Sequence, residues 1–243
     1  MSSYMKSHHQ IGRECDDIIV TSGARQVMNL ASKVLCNEED VIICEAPSFI
    51  GSLNTFRSIK TRLRGISMEE DGMNMLELEQ ALKEEPNARM IYTIPNFQNP
   101  SGITMSFEKR KKMYQLAKQY GVIILEDNPY GDLRVSGTHV PAIKSFDEDG
   151  IVIYAGSFSK VISPGMRVGF TIAPKPIAQK MVVCKQADDV HTNILAQMIC
   201  NTLMTDYDYD GHLEKLRTIY RKRTELMLHP IEDHLVPPGI NIH

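Results

Sequence analysis

Short β-branched runs recur along the chain at Ile18 to Thr21, Val41 to Cys44, Arg62 to Ile66, Met90 to Ile94, Val122 to Glu126, Ile151 to Ala155 and Arg167 to Ala173. Most are apolar without alternation, the pattern of strands covered on both faces. Helical periodicity fills the gaps. Met113, Leu116, Ala117 and Tyr120 fall at i, i+3, i+4 and i+7, behind Ser106 as N-cap with Glu108 in the first turn, and Gly121 closes the helix. Gln26 to Leu35 and Leu76 to Lys83 read as two further helices, the second stopped ahead of Pro86. This alternation predicts an α/β fold, a mostly parallel sheet with helices on both faces. After Ala173 only helices are expected: Lys175 to Ala187, Ile194 to Met204, and a long one from about Leu213 to Leu228. Leu213, Leu216, Tyr220 and Met227 make the apolar face of the last, and Lys215, Arg217, Arg221, Lys222 and Arg223 its solvated side. Pro237-Pro238-Gly239 marks a turn before the final residues.

Composition adds bounds to this pattern. The 243 residues are 42% hydrophobic and 23% charged, the profile of a globular protein. The balance of 27 Lys plus Arg against 30 Asp plus Glu, a net charge of -3, gives no phosphate-tracking surface, so nucleic acid is not an expected partner of this chain. Cys15, Cys36, Cys44, Cys184 and Cys200 form no C-x-x-C and read as reduced core thiols. The first residues lack the apolar run of a signal peptide and no stretch approaches a membrane span, which predicts a cytoplasmic protein with no membrane partner.

Candidate chemistry collects at the ends of the predicted strands, where open α/β sheets bind ligands. Gly156-Ser157-Phe158-Ser159-Lys160 follows one strand, and Ser163-Pro164-Gly165-Met166-Arg167 comes directly after it. Hydroxyls with a guanidinium fork suit phosphate oxygens, and a lysine beside a bound phosphate ester suggests an amine that forms a Schiff base. Ser22-Gly23-Ala24-Arg25 opens a helix and offers a second anion site, against the simpler reading of Ser22 as a helix cap. Glu126-Asp127-Asn128-Pro129-Tyr130 ends another strand. Its carboxylate could cap a helix or pair with a cationic ring nitrogen; the His and Cys spacing of a metal site does not accompany it. Pro95-Asn96-Phe97-Gln98-Asn99-Pro100-Ser101-Gly102 reads as a turn, and Glu45-Ala46-Pro47-Ser48-Phe49 as a loop with one anchoring aromatic. Ser157 to Lys160 also fits S-x-x-K of penicillin-recognising enzymes, but S-D-N and K-T-G are absent, as are G-x-S-x-G, Walker A and G-x-G-x-x-G.

In order, T-S-G-A-R-Q, E-A-P-S-F, P-N-F-Q-N-P-S-G, E-D-N-P-Y and G-S-F-S-K-V-I-S-P-G-M-R resemble the fold-type-I pyridoxal-phosphate aminotransferases, class I/II, of the 2-aminoadipate and kynurenine type. The resemblance implies pyridoxal 5'-phosphate as cofactor, and an amino acid and a 2-oxo acid as substrates. It gives Lys160 the Schiff base and the proton transfer, and Asp127 the pyridine nitrogen. Phe49 would stack on the ring, and Asn99 and Tyr130 would bond its phenolic oxygen. Gly23, Ala24, Arg25, Ser157, Ser159 and Arg167 would hold the phosphate, and Asn99-Pro100 could be cis in the family's manner. A lysine buried or flanked by cations would have the lowered pKa that such a bond requires.

The resemblance also implies a homodimer when full length, and a chain shortened at both ends. Residues 1–16 would be the remnant of an N-terminal segment, 17–208 the cofactor-binding large domain, and 209–243 the long helix and start of a small domain. The small domain would carry the arginine that grips the substrate α-carboxylate, so weak or absent transamination is expected of this chain alone. Two other functions fit the resemblance: the effector domain of a GntR/MocR-type transcription regulator, and an inactive cofactor-binding remnant. An intact Asn99-Pro100-Ser101-Gly102 speaks against the regulator.

Overall fold

The protein was analysed as a computed structural model, which describes residues 1–234. Eight strands form one sheet: β1 (Asp16–Thr21), β2 (Val41–Ala46), β3 (Arg62–Glu69), β4 (Gly72–Met73), β5 (Ala88–Thr93), β6 (Ile123–Asp127), β7 (Val152–Ser157) and β8 (Gly169–Pro174). Their order across the sheet is β1-β8-β7-β6-β5-β2-β3-β4. The pairings β3-β2-β5-β6-β7 are parallel. β8 runs antiparallel to both its neighbours, and β4 is a short antiparallel edge on β3.

Period-two side-chain alternation divides the core between the faces. Ile42, Met90, Tyr92, Leu125 and Ile153 pack with α2 (Ala24–Leu35), α3 (Ile50–Ser58) and α6 (Lys175–Asp188). Val41, Ile43, Ile91, Ile124 and Val152 pack on the opposite face with α4 (Met75–Glu84) and α5 (Phe107–Tyr120). Each such aliphatic contributes about 1.5–3 kcal/mol on burial. A third cluster joins Tyr154, Phe170 and Ile172 to α1 (Ser2–His9), α7 (Ile194–Asp206) and α8 (Tyr209–His234) through Met5, Ala196, Cys200 and Leu213.

The capping signals act as the sequence indicates. The Ser106 hydroxyl accepts from the Lys109 amide at 3.4 Å, and Gly121 takes the left-handed conformation at φ 67° that ends α5. Several expectations need correction. The sequence pattern predicts neither α1 nor α3, which carry no strong apolar stripe, nor β4, which is only two residues long. α8 buries Leu213 and half-buries Leu216, but Tyr220 and Met227 are exposed, since nothing among the described residues covers its second half. Its basic side is not wholly solvated: Arg217 Nε donates to Asp132 O at 2.9 Å and Arg221 Nε to Val135 O at 3.2 Å. Cys44 and Cys200 are buried, but Cys15 is exposed just ahead of β1. The Pro237-Pro238-Gly239 turn lies outside the described residues. No helix among the described residues is long and apolar enough to cross a membrane.

Candidate cofactor site

The C-terminal ends of β2, β5, β6 and β7 open onto one cavity of about 260 Å³. Ala24, Arg25, Phe49, Asn99, Asp127, Tyr130, Ser157, Ser159, Lys160 and Arg167 all line it. Gly23 stands directly behind as the N-cap of α2. Met28, Ser52, Ile94, Pro129 and Pro164 complete the wall.

One end of the cavity is built for an anion. α2 starts at Ala24 with no side-chain cap among the described residues, so its first N–H groups and positive dipole end face the cavity. Ser22 is not the cap: its hydroxyl donates to Asp189 Oδ2 at 2.7 Å, while its carbonyl accepts from the Arg167 guanidinium at 3.2 Å. Gly23 has φ 84°, and a Cβ there would strike that guanidinium. Gly169 is needed for the same approach, since a Cβ on it would lie 2.7 Å from the Ala24 nitrogen. Ser157 Oγ accepts from the Ser159 amide at 3.1 Å, which shapes the loop that ends in Lys160. Arg25, Lys160 and Arg167 are exposed at this rim. Lys160 is therefore open to solvent rather than buried, because its loop leaves the sheet immediately after β7. Its Nζ lies 5.8 Å from the centroid of the Tyr130 ring.

The opposite end is a buried carboxylate. Asp127, the last residue of β6, is 4% exposed, and burial pushes it up to about 7, with the Tyr92 hydrogen bond pulling the other way. Tyr92 Oη lies 2.9 Å from Asp127 Oδ2 and 2.9 Å from Ser52 Oγ. Asp127 Oδ1 is buried with no hydrogen-bond partner among the described residues. A buried orphan acceptor costs about 1–3 kcal/mol, which marks it as the place for an incoming donor. Burial also raises the Tyr130 phenol, while the neighbouring Asn99 amide opposes the shift.

A second buried carboxylate ties the walls together. Glu45, near the end of β2, accepts from Thr93 Oγ1 at 2.6 Å, the Ile94 amide at 3.1 Å and Gln98 Nε2 at 3.0 Å. Burial raises it to about 7 against those donors. Gln98 Nε2 also donates to Pro47 O at 2.8 Å, so the segment leading to Phe49 and the one leading to Asn99 share a tether. The Ala46-Pro47 and Asn99-Pro100 bonds are both cis. Glu45 and Gln98 stand inside quoted motifs without an assigned role, and Ser52 and Tyr92 lie outside them. The available signal was a lone tyrosine in an aliphatic strand, because a buried phenol needs a partner for its hydroxyl.

The family profile of aminotransferase class I and II matches residues 1–240. The chain belongs to that family. It is 38% identical over 244 residues to aromatic-amino-acid aminotransferase 1 of Thermococcus litoralis, covering 99% of this chain and 58% of that protein. Among solved structures of the family it is similar to a kynurenine aminotransferase of Pyrococcus horikoshii crystallised with PMP. The TM-score there is 0.94 at 34% identity, over 99% of this chain and 60% of that one. An HTH-type transcriptional regulator of Bacillus subtilis, YisV, is also similar, at 33% identity over 88% of this chain and 44% of the regulator. The chain thus spans under two thirds of the length of these relatives.

Proposed function

We propose that this chain is the cofactor-binding part of a pyridoxal-phosphate aminotransferase, exchanging an amino group between an amino acid and a 2-oxo acid. One observation carries the reading. A single cavity joins a cationic, hydroxyl-lined rim to a buried carboxylate with a free oxygen, with Lys160 and Asp127 both on its wall. Such a cavity fits a ligand that is anionic at one end and a basic heterocycle at the other, and pyridoxal phosphate is both.

The uncapped start of α2, Ser157, Ser159, Arg25 and Arg167 would bind the phosphate, and Gly23 leaves room for it. Phe49 would stack against the ring face, and Asn99 with Tyr130 would bond the ring oxygen. Asp127 Oδ1 would accept from the protonated ring nitrogen and hold that proton in place. When bound, the cofactor supplies an electron-withdrawing ring that stabilises negative charge at the substrate α-carbon. Lys160 would hold the cofactor at rest and, once displaced by the substrate amine, take the proton from the substrate α-carbon. Its exposure lets it swing without breaking a buried contact. An adjoining cavity of about 510 Å³ shares Asn99, Tyr130 and Lys160 and is walled by Phe97, Leu133, Val135 and Tyr220; it would take a substrate side chain beside the amine.

The family resemblance further supports residues 17–208 as the large domain, 1–16 as part of an N-terminal segment, 209–243 as the long helix and start of a small domain, a homodimer for the whole protein, and a cytoplasmic setting. Incubation with pyridoxal phosphate, borohydride reduction and peptide mapping test the site. The expected product is a pyridoxyl group on Lys160. Label on other lysines with Lys160 unmodified overturns the reading.

A further inference from the structure

We propose that Tyr92 and Ser52 are positioning residues for Asp127, forming a hydrogen-bond chain that holds its charge and aims its free oxygen at the cofactor ring nitrogen; this rests on the functional reading above. Tyr92 Oη has one proton and two partners, each at 2.9 Å. The carboxylate is the stronger acceptor, so the phenol donates to Asp127 Oδ2 and receives the Ser52 hydroxyl proton on its own lone pair. With Oδ2 occupied, the only carboxylate oxygen left for a ring nitrogen is Oδ1, the atom without a partner among the described residues. Without Tyr92, Asp127 would have two unpaired oxygens in a fully buried position, and would keep its proton rather than face the ring as an anion.

The chain is buried at every link, at Ser52, Tyr92 and Asp127 alike. The Tyr92 ring is fully buried and packs edge-on to Phe56 of α3, with centroids 5.2 Å apart. Ser52 lies in the first turn of α3, and its amide donates to Phe49 O at 3.0 Å. One helix start therefore supplies the stacking aromatic and the first donor of the chain. Other ionisable groups surround it: Glu45 on β2 acts on Tyr92, Tyr130 beyond β6 senses Asp127, and burial dominates all of them.

The test compares the whole chain with Y92F, S52A and D127N, each titrated with pyridoxal phosphate labelled with 15N in the ring. The readouts are the dissociation constant and the pH at which the ring-nitrogen resonance reports loss of its proton. Y92F keeps the packing against Phe56 and should bind the cofactor about tenfold more weakly, equivalent to about 1.4 kcal/mol. It should also lose the ring proton at lower pH. S52A should shift both readouts the same way by less, and it decides the matter if Y92F does not fold. Unchanged affinity and an unchanged midpoint in Y92F and S52A, beside a shifted midpoint in D127N, overturn the proposal alone. A wild-type chain that does not bind the cofactor, or a D127N signal that does not move, overturns the reading of the site and the proposal with it.

Discussion

The rim and the floor of the cavity hold charge in opposite ways. At the rim, Arg25, Lys160 and Arg167 are exposed, and water already solvates their charge. Asp127 on the floor and Glu45 behind the wall are buried, and their charge depends on a few internal donors: Tyr92 for one, and Thr93, Ile94 and Gln98 for the other. A rim contact adds affinity that salt can screen, whereas a floor contact sets a protonation state that salt hardly reaches. A ligand held as proposed would thus meet two kinds of electrostatics, and perturbation can separate them.

The largest expected effect is at the rim. K160A should abolish borohydride-trapped label at that position altogether, checked by intact mass, while non-covalent cofactor binding persists through the phosphate contacts. Next comes the carboxylate behind the wall: E45A strands the Thr93 hydroxyl, the Ile94 amide and Gln98, and should destabilise the chain by about 3 kcal/mol in urea unfolding, with E45Q far milder. R167A should weaken cofactor binding about tenfold at low salt, since a charge-assisted pair is lost, and the difference from wild type should shrink as salt is raised. A floor variant such as Y92F should show no such salt dependence, and equal salt slopes for the two would erase the distinction.

A separate effect concerns pH. Asp127 rises from 3.8 to about 7 and Glu45 from 4.5 to about 7 on folding, so between those values the folded chain binds more protons than the unfolded one. Stability of the chain without cofactor should therefore be greatest below about pH 4 as far as these two groups decide it, and should fall as pH rises towards about 7. D127N should flatten part of that slope in thermal melts, and so should saturating cofactor, whose ring cation stabilises the ionised carboxylate. The smallest effect is a control far from both regions: S106A removes the α5 cap, should cost about 1 kcal/mol, and should leave cofactor affinity unmoved.

The rim was far more legible in the sequence than the floor. Ser157, Ser159, Lys160 and Arg167 sit within a few residues of one another, and Gly23 to Arg25 occupy a single turn, so local spacing exposes them. The Asp127 partners come from β5 and α3, and contact with them depends on sheet order and on a helix whose sequence, Ile50–Ser58, shows little apolar periodicity. Strand runs mark seven of the eight sheet members, all but the two-residue β4, and Ser106 and Gly121 mark the ends of α5. The reversal of β8 left no local mark, because a strand covered on both faces reads the same in either direction. Exposure of Lys160 is illegible for a related reason: residue type suggests its chemistry, but only the path of the loop decides its burial.

That reversed strand has a consequence for the order of events on a ribosome. β8 lies between β1 and β7, with Gly169 opposite both Thr21 and Ser157. The two halves of the proposed phosphate site are therefore brought together only by a segment made some 150 residues after the first half. A nascent polypeptide would emerge with its helix start and its arginine on separate lengths of chain, and capture of the proposed cofactor would have to wait until Pro174 had cleared the exit tunnel.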